Sequence, residues 1–543
     1  MRVALIQTPV WGTREPPLGI VQLAAVLKSQ GFETRSFDLN NFLFNNRPEE
    51  MKNLWAWEQC SFWYNKSEVA RIFRDHLRLI EKFLEQVLAF GPEVAGFSVS
   101  SSTILSSCLF ASLLKKNRKD IRIVFGGEGF RDADCVKRAF EESPADFIVA
   151  GEGEITFAEL LRRLDGKKDP SGCKGIYFRR SGGFVHAGVR TERVTLDKLP
   201  YMDFSDLRID DYRDNEHIAL MASRGCIWKC AFCSSRSFWE GYRFMSGERI
   251  HQEITFHKMC RKGLHVDFQD LVFNGNMERV IEFSKLMVKY PPFDTAYPVQ
   301  WVANAVITPR LTYDALTLMK RAGCKKLIFG IESGSERVLK KMRKAYKPAV
   351  ARKVLKDAWK AGIAVTCNFM FGFPGETEED FNQTLRFVGD VGEYLERVYP
   401  SRTYCGIEEY SYFHDHPGKF GIRQPLGHHL YWESEDGANT FPVRLDRCRR
   451  FEEFCGKNGI RIDAGVQTSV ELDNCFSLGD YYQFKRDFPR ALDYFYQYLK
   501  EDPRSQAVLE RVTDMLKEES LPSETRVRFR RFLQKKKKRK AAV

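Results

Sequence analysis

Over the first 165 residues, short apolar runs alternate with longer stretches of helical spacing. The runs at 3–7, 33–37, 94–98, 121–125 and 147–149 predict strands, and 18–28, 104–115, 132–140 and 155–164 predict helices. Such alternation predicts an α/β domain: a doubly wound parallel sheet with helices on both faces. Ligands of such sheets sit outside the carboxyl ends of the strands. Those ends are small and polar here, at Ser98-Val-Ser100-Ser101-Ser102, Gly126-Gly127-Glu128 and Gly151-Glu152-Gly153-Glu154. An insertion at about 41–90 interrupts the alternation. It is aromatic at Trp55, Trp57, Trp63 and Tyr64, turns helical near Glu68, and is expected to cover the sheet edge.

Residues 166–214 read as a connector, with a small hairpin at 175–178 and 184–189 around Ser181-Gly182-Gly183. A second alternating region follows at 215–425. Strands at 218–222, 265–268, 299–303, 326–329, 365–369 and near 402–406, with helices between them, predict a full or partial (β/α) barrel. Residues 426–525 change to aromatic, charged and helical character. Within them Leu478, Gly479, Tyr482, Ala491, Phe495 and Pro503 fall at tetratricopeptide offsets. One such repeat cannot build a solenoid, so it reads as a docking helical pair.

Composition narrows the class. The chain is 43% hydrophobic and 29% charged, as a globular protein is. No run approaches the roughly 20 apolar residues of a membrane span. Residues 1–7 read as a strand and not a signal peptide, so a cytoplasmic location is expected. The net charge is +13, but residues 526–540 carry ten Lys or Arg and no acid, leaving +3 elsewhere. A nucleic-acid-coating role is therefore not indicated, and the tail from 526 to 543 reads as solvated and flexible. The fourteen cysteines are scattered and form no disulfide framework.

Three of them are not scattered. In Arg224-Gly-Cys226-Ile-Trp-Lys-Cys230-Ala-Phe232-Cys233 three thiols fall within eight residues, just past a predicted strand. A structural zinc wants four protein ligands, and no fourth Cys or His lies close by. A four-iron cluster held by three cysteines leaves one iron open for a reactive ligand.

This Cys-x3-Cys-x2-Cys pattern, with an aromatic residue before the last Cys, resembles that of the radical S-adenosylmethionine enzymes. The resemblance implies that Cys226, Cys230 and Cys233 hold a [4Fe–4S] cluster and that Phe232 packs near the adenine of S-adenosylmethionine. It implies reductive cleavage of that cofactor to a 5′-deoxyadenosyl radical, with an electron donor such as flavodoxin or ferredoxin. Downstream segments agree over about 200 residues. Tyr242-Arg243 and Ser246 resemble the element after the cluster loop, and Asp267-Phe-Gln-Asp270 resembles the strand end that contacts the amino group. Gly330-Ile-Glu332-Ser333-Gly334 resembles a hallmark strand near the ribose or methionine part. Gly372-Phe-Pro374-Gly375-Glu376 resembles the turn near the adenine.

The first 165 residues resemble the cobalamin-binding domain fused to many radical enzymes. The matching segments are Pro16-Pro17-Leu18-Gly19, 92–98 through Ser98, Gly126-Gly127 and 151–154. Pro17, Leu18, Ser98, Ser100, Ser101, Gly126, Gly127, Glu128, Gly151, Glu152 and Gly153 are accordingly expected to hold the corrin between this domain and the barrel. The first-strand loop, Thr8-Pro-Val-Trp-Gly12, has no histidine, and no Asp-x-His-x-x-Gly motif occurs in the chain. The resemblance implies methyl transfer to an unactivated carbon of a small-molecule or peptide substrate. One S-adenosylmethionine would methylate cobalt and a second would supply the radical. Ring formation or rearrangement is the enzymatic rival; methylthiolation of tRNA is disfavoured because the first domain lacks clustered cysteines. A non-catalytic scaffold is the rival of another class. His414, His416, His428 and His429 read as a solvated loop. Tyr404, Cys405, Glu408 and Glu409 are candidate substrate contacts, and Trp432, Glu433 and Asn439 could fold over the barrel mouth.

Overall fold

The computed structural model describes residues 1–540 apart from 52–53, 56–62, 260, 262, 293–296, 402–404, 464–469 and 504. Trp57 and Tyr404 lie outside the described residues.

The first sheet holds β1 (Arg2–Gln7), β2 (Glu33–Asp38), β3 (Val94–Ser98), β4 (Arg122–Gly126), β5 (Phe147–Val149), β6 (Ile176–Arg180) and β7 (Gly183–His186), in the order β2-β1-β3-β4-β5-β6-β7. The first five are parallel. Period-two alternation explains the helices on both faces. Val3 and Leu5 join one core with Ile20 and Phe157, while Ala4 and Ile6 join the other with Phe97 and Phe110. The insertion feeds that second core. Its helices Leu39–Asn46, Lys66–Asp75 and Leu77–Phe90 bury Leu43, Ile72 and Phe83 in that core, so it covers a face of the sheet. The hairpin of the connector also belongs to this sheet, since β6 pairs antiparallel with β5.

The second sheet is wholly parallel and runs in simple sequence: β8 (His217–Leu220), β11 (His265–Phe268), β12 (Gln300–Ala305), β13 (Cys324–Glu332), β14 (Ala364–Phe369) and β15 (Arg397–Pro400). Between β8 and β11 lie β9 (Ser223–Arg224) and β10 (Arg243–Phe244), an antiparallel pair. Helices separate the parallel strands, and among the described residues β8 and β15 end the six-strand order without pairing to each other, so the barrel is partial. The strand expected near 402–406 falls mostly outside the described residues, and the last described strand is β15. It is short, and its edge is covered: the Val398 amide donates to the Arg461 carbonyl (2.8 Å) and the Asp463 amide to the Val398 carbonyl (2.8 Å).

Helices Phe441–Lys457, Val470–Phe484, Phe488–Glu501, Gln506–Met515 and Ser523–Lys540 complete the chain. A side chain at Gly479 would strike the Phe495 ring, at 2.6 Å, so the two helices of the tetratricopeptide-like pair meet there. The basic tail is not a free coil. It is helical, and Phe529 is buried with Tyr496 packed edge-on at 5.9 Å. Among the described residues no helix is long and apolar enough to cross a membrane.

Candidate active site

The β9–β10 ladder closes the base of the loop that carries the three cysteines. Gly225 opens that loop at φ +78°, and a Cβ there would run into the Gly241 carbonyl. Cys226 and Cys233 are half-buried and Cys230 is buried; all are free thiols. The loop is pinned at Ala231, whose amide donates to the Met342 carbonyl (3.0 Å) and whose carbonyl accepts from the Phe413 amide (3.2 Å). Burial pushes the Cys230 thiol up to about 11, against the pull of the Lys344 ammonium. Among the described residues no three His, Cys, Asp or Glu side chains close on one point, as a mononuclear site would need. A four-iron cluster instead takes one thiolate per iron, and a three-thiol donor set on one loop suits it.

Facing the loop is the end of β13. Its register breaks between Gly330 and Glu332, and Glu332 sits at φ +65°. Lys344 reaches back into this break, donating to the Gly330 carbonyl (2.9 Å) and to Glu332 Oε1 (3.1 Å). The pair is buried, with side-chain exposures of 6% and 11%. The ammonium also lies over the rings of Trp228 (5.3 Å) and Phe232 (5.6 Å). Burial opposes the Lys344 charge, but Glu332 and the nearby thiols outweigh it and hold its pKa above the ordinary lysine value. Lys344 thus joins Phe232 of the cluster loop to Glu332. The sequence reading missed it, because it sits in a basic run that looks solvated. Ser333 is buried and holds the turn, sharing a hydrogen bond with Thr384 (3.2 Å) and accepting from the Ser335 amide (3.1 Å).

The Gly372–Glu376 turn follows β14. Gly372 has φ +74° and leaves no room for a Cβ beside the Arg444 side chain. Its amide donates to Glu376 Oε2 (2.6 Å), and its carbonyl accepts from Asn439 (2.9 Å). Pro374 is buried and Gly375, at φ +76°, is exposed. Arg447 clamps Glu376 at 2.9 Å, and the Thr377–Asp380 capping box starts the next helix at once. The C-terminal helix Phe441–Lys457 therefore holds this turn from behind. Trp432 belongs to the same brace: Arg444 lies over its ring at 4.1 Å, and its indole donates to the Cys405 carbonyl (2.8 Å).

Asp270 stands apart from these groups. It is fully buried and accepts from Ser223 Oγ and from the Ala222 amide (3.3 Å). Burial pushes its carboxyl up to about 6. In this structure it braces the approach to the cluster loop.

At the carboxyl edge of the first sheet lies a cavity of about 630 Å³. Pro17, Leu18, Ser98, Gly126, Gly127, Glu128, Gly151, Glu152 and Gly153 line it, as expected from the sequence. Ser100 and Ser101 do not: Ser100 is buried in a turn closed by Thr103 Oγ1 (2.9 Å), and Ser101 is exposed outside it. The opposite wall is barrel: Ala219, Met221, Arg224, Phe238, Trp239 and Gln269. A Cβ at Gly127 would strike the Val99 carbonyl at 2.6 Å, whereas Gly151, at φ +80°, opens onto free space. Glycine there keeps the floor flat and bare of side chains, which suits a broad planar ligand. Glu15 is a further wall residue. It accepts from Gln269 (2.9 Å), its second oxygen is buried without a partner, and burial pushes its carboxyl up to about 7.

The cavity and the cluster loop share a buried ion network. Arg224, two residues before Cys226, pairs with Glu152 (2.7 Å) and Glu154, and Arg243 pairs with Glu152. The candidates farther out are not drawn in. His414 pairs with Asp415 (3.2 Å), His416 bonds the Tyr412 carbonyl (3.0 Å), and His428 stacks on Tyr431 and His429. Cys405 is fully buried, while Glu408 and Glu409 are exposed.

Comparison with known proteins agrees with this geometry. Residues 220–388 match the Radical SAM superfamily, so this part of the chain is a radical S-adenosylmethionine domain. It is 26% identical over 406 residues to an uncharacterized methyltransferase of Pyrococcus horikoshii, covering 72% of this chain and 78% of that one. It is 25% identical over 324 residues to the anaerobic magnesium-protoporphyrin IX monomethyl ester cyclase of Synechocystis sp., covering 56% of this chain and 61% of the cyclase. Among solved structures the fold matches the cobalamin-dependent radical enzyme OxsB with aqua-cobalamin bound (TM-score 0.62, 16% identity, 95% of this chain and 75% of that one). It also matches the radical methyltransferase TsrM of Kitasatospora setae (TM-score 0.58, 15% identity, 83% and 88%). The architecture is that of the cobalamin-dependent radical enzymes.

Proposed function

We propose that this chain is a cobalamin-dependent radical S-adenosylmethionine methyltransferase acting on an unactivated carbon of a small-molecule or peptide substrate. The observation that carries the reading is the cavity between the glycine-floored sheet edge and the barrel, whose wall residue Arg224 stands two residues before Cys226. When bound, the cluster would supply one electron for cleavage of S-adenosylmethionine, and the corrin would carry the methyl group.

The protein's own part is binding and exclusion. Cys226, Cys230 and Cys233 offer the thiolates. Phe232, Glu332 with Lys344, and Gly375 offer an aromatic face, a charge pair and exposed backbone for S-adenosylmethionine, and the buried Ser333 and Gly372 shape the two turns that carry them. The bare glycines at 126, 127 and 151 allow a flat ring to lie against backbone. No histidine stands on the 8–12 loop to reach a metal above them. The described cysteines are all free, as in a reducing compartment, which supports a cytoplasmic setting.

The cyclase relative favours a second reading, radical ring formation or rearrangement with the same cofactors. The two differ in co-products. Methyl transfer consumes one S-adenosylmethionine as methyl donor and one as radical source. S-adenosylhomocysteine and 5′-deoxyadenosine then form in about equal amounts per methylated product, as that mechanism requires. Anaerobic turnover on cell extract with both products quantified separates them. 5′-Deoxyadenosine without S-adenosylhomocysteine would select the cyclase-type reading.

A further inference from the structure

A buried cation is costly, and the chain reshapes a strand to admit this one. β13 loses register between Gly330 and Glu332, and Glu332 takes φ +65°, a region that residues with side chains avoid. Gly330 leaves the space into which Lys344 reaches. A Cβ there would stand 2.5 Å from Glu332 Oε1 and 3.2 Å from Lys344 Nζ, so a side chain at 330 would displace the pair. The ammonium donates to the Gly330 carbonyl and to Glu332, and among the described residues Glu332 is its one carboxylate partner within ion-pair distance.

The other side of the ammonium is the cysteine loop. Its neighbours there, Trp228 and Phe232, flank Cys230 in the chain and turn their rings to it. Tyr346 closes the wall: it is buried, stacks on Trp228 at 5.8 Å and donates to the Ile331 carbonyl (2.6 Å). The charge is thus held between the carboxylate and the thiols. Burial is the largest influence on the Cys230 thiol. After it, the pull of the Lys344 ammonium outweighs the push of the Glu332 carboxylate. At Cys226 too burial raises the thiol and the Lys344 ammonium opposes it. Lys344 therefore acts on the cysteine loop as a net positive charge, although it is paired.

We infer that the Lys344 ammonium is a built-in counter-charge for the cluster, held in place by Gly330 and Glu332, and that it makes the cluster easier to reduce. The inference rests on the function proposed above, through its cluster alone, and gives that site a residue that sets its potential. Three thiolates leave a cluster with excess negative charge, and one more electron adds to it. Net charge and solvent exposure are among the properties that set such potentials. A cation walled off from water by Trp228, Phe232 and Tyr346 is little screened, so it favours the reduced form. A one-electron reductant supplies the electron, and Lys344 keeps its proton throughout.

The test is a redox titration of the anaerobically reconstituted full chain with dithionite and mediators, without S-adenosylmethionine, followed by electron paramagnetic resonance. Iron and sulfide content establishes that each variant carries its cluster. In K344Q and K344M the equilibrium should shift against the reduced cluster by about tenfold, a fall of about 59 mV for one electron. K344R keeps the charge and should stay near the wild type. E332Q leaves the ammonium unopposed and should move the potential the other way. A lysine that only braced the strand would leave the potential of every loaded variant where it was. Wild-type potentials in loaded K344Q and K344M, in a wild type that cleaves S-adenosylmethionine, would overturn this role alone. If those two take up no cluster, an unmoved potential in E332Q would do the same. A wild type that takes up no cluster would overturn the proposed function and this role with it.

Discussion

Arg224 of β9 and Glu154, in the first turn of the helix after β5, form a buried ion pair, with side-chain exposures of 7% and 9%. Glu154 stands at the end of the sheet's glycine-rich floor, and Arg224 opens the segment that leads to Cys226. The two halves of the proposed site are therefore joined by charge where they meet, and Glu152 and Arg243 extend the join.

Removing one partner of such a network strands the other charge in the interior. Arg224→Ala should destabilise the protein by about 3–5 kcal/mol. Glu154→Gln should do less, because the amide still accepts. Chemical unfolding of both variants checks this, and equal small losses would show that the network carries little.

Gly372 occupies a backbone region that side chains avoid, against the Arg444 side chain. Gly372→Ala should cost about 1–3 kcal/mol and weaken S-adenosylmethionine binding by calorimetry. The change reaches the ligand through the turn, so affinity should fall even where the variant remains folded.

Asp270 gives a pH prediction. Burial raises its folded pKa to about 6 from an unfolded value of 3.8. The folded state thus binds the proton more tightly, and this stabilisation is fully present below pH 3.8. It is lost as pH rises through about 6. Asp270→Asn cannot titrate, so the pH dependence of its melting temperature between 4 and 7 should be shallower than that of the wild type. Parallel curves would contradict the assignment.

The basic C-terminus divides in two. Phe529 is buried among the last helices, packed on Tyr496. Phe529→Ala should cost about 3–5 kcal/mol within that helical unit, and deletion from residue 526 should loosen it. Deletion from 533 should leave stability unchanged. Limited proteolysis and thermal melts distinguish the two truncations.

Much of this fold was legible because strand and helix periods differ so clearly in parallel α/β chains. The runs at 94–98 and 147–149 match β3 and β5 to the residue. β15 was not legible, because Arg397–Pro400 is a short edge strand whose stability comes from residues some 60 positions later, at Arg461–Asp463. The tail read as solvated because Phe529 and Phe532 are only two aromatics among ten cations. In the site, local motifs were readable and long-range partners were not. Cys226, Cys230 and Cys233 announce themselves within eight residues, and the glycines at 126, 127 and 151 mark the sheet edge. Lys344 gains its meaning from Glu332, Trp228 and Phe232, and Arg444 from Gly372, and no local spacing signals either. Ser100 and Ser101 looked like cavity residues because they follow β3, but there the chain is in the turn, closed by Thr103, that leads into the next helix.

The central claim is that the three cysteines hold a cluster that cleaves S-adenosylmethionine reductively. The most direct measurement is 5′-deoxyadenosine formation by the anaerobically reconstituted protein with dithionite, beside the same assay on C226A/C230A/C233A. The account predicts iron–sulfur absorbance and 5′-deoxyadenosine in the wild type and neither in the folded variant. Full reductive cleavage in the triple variant would contradict it.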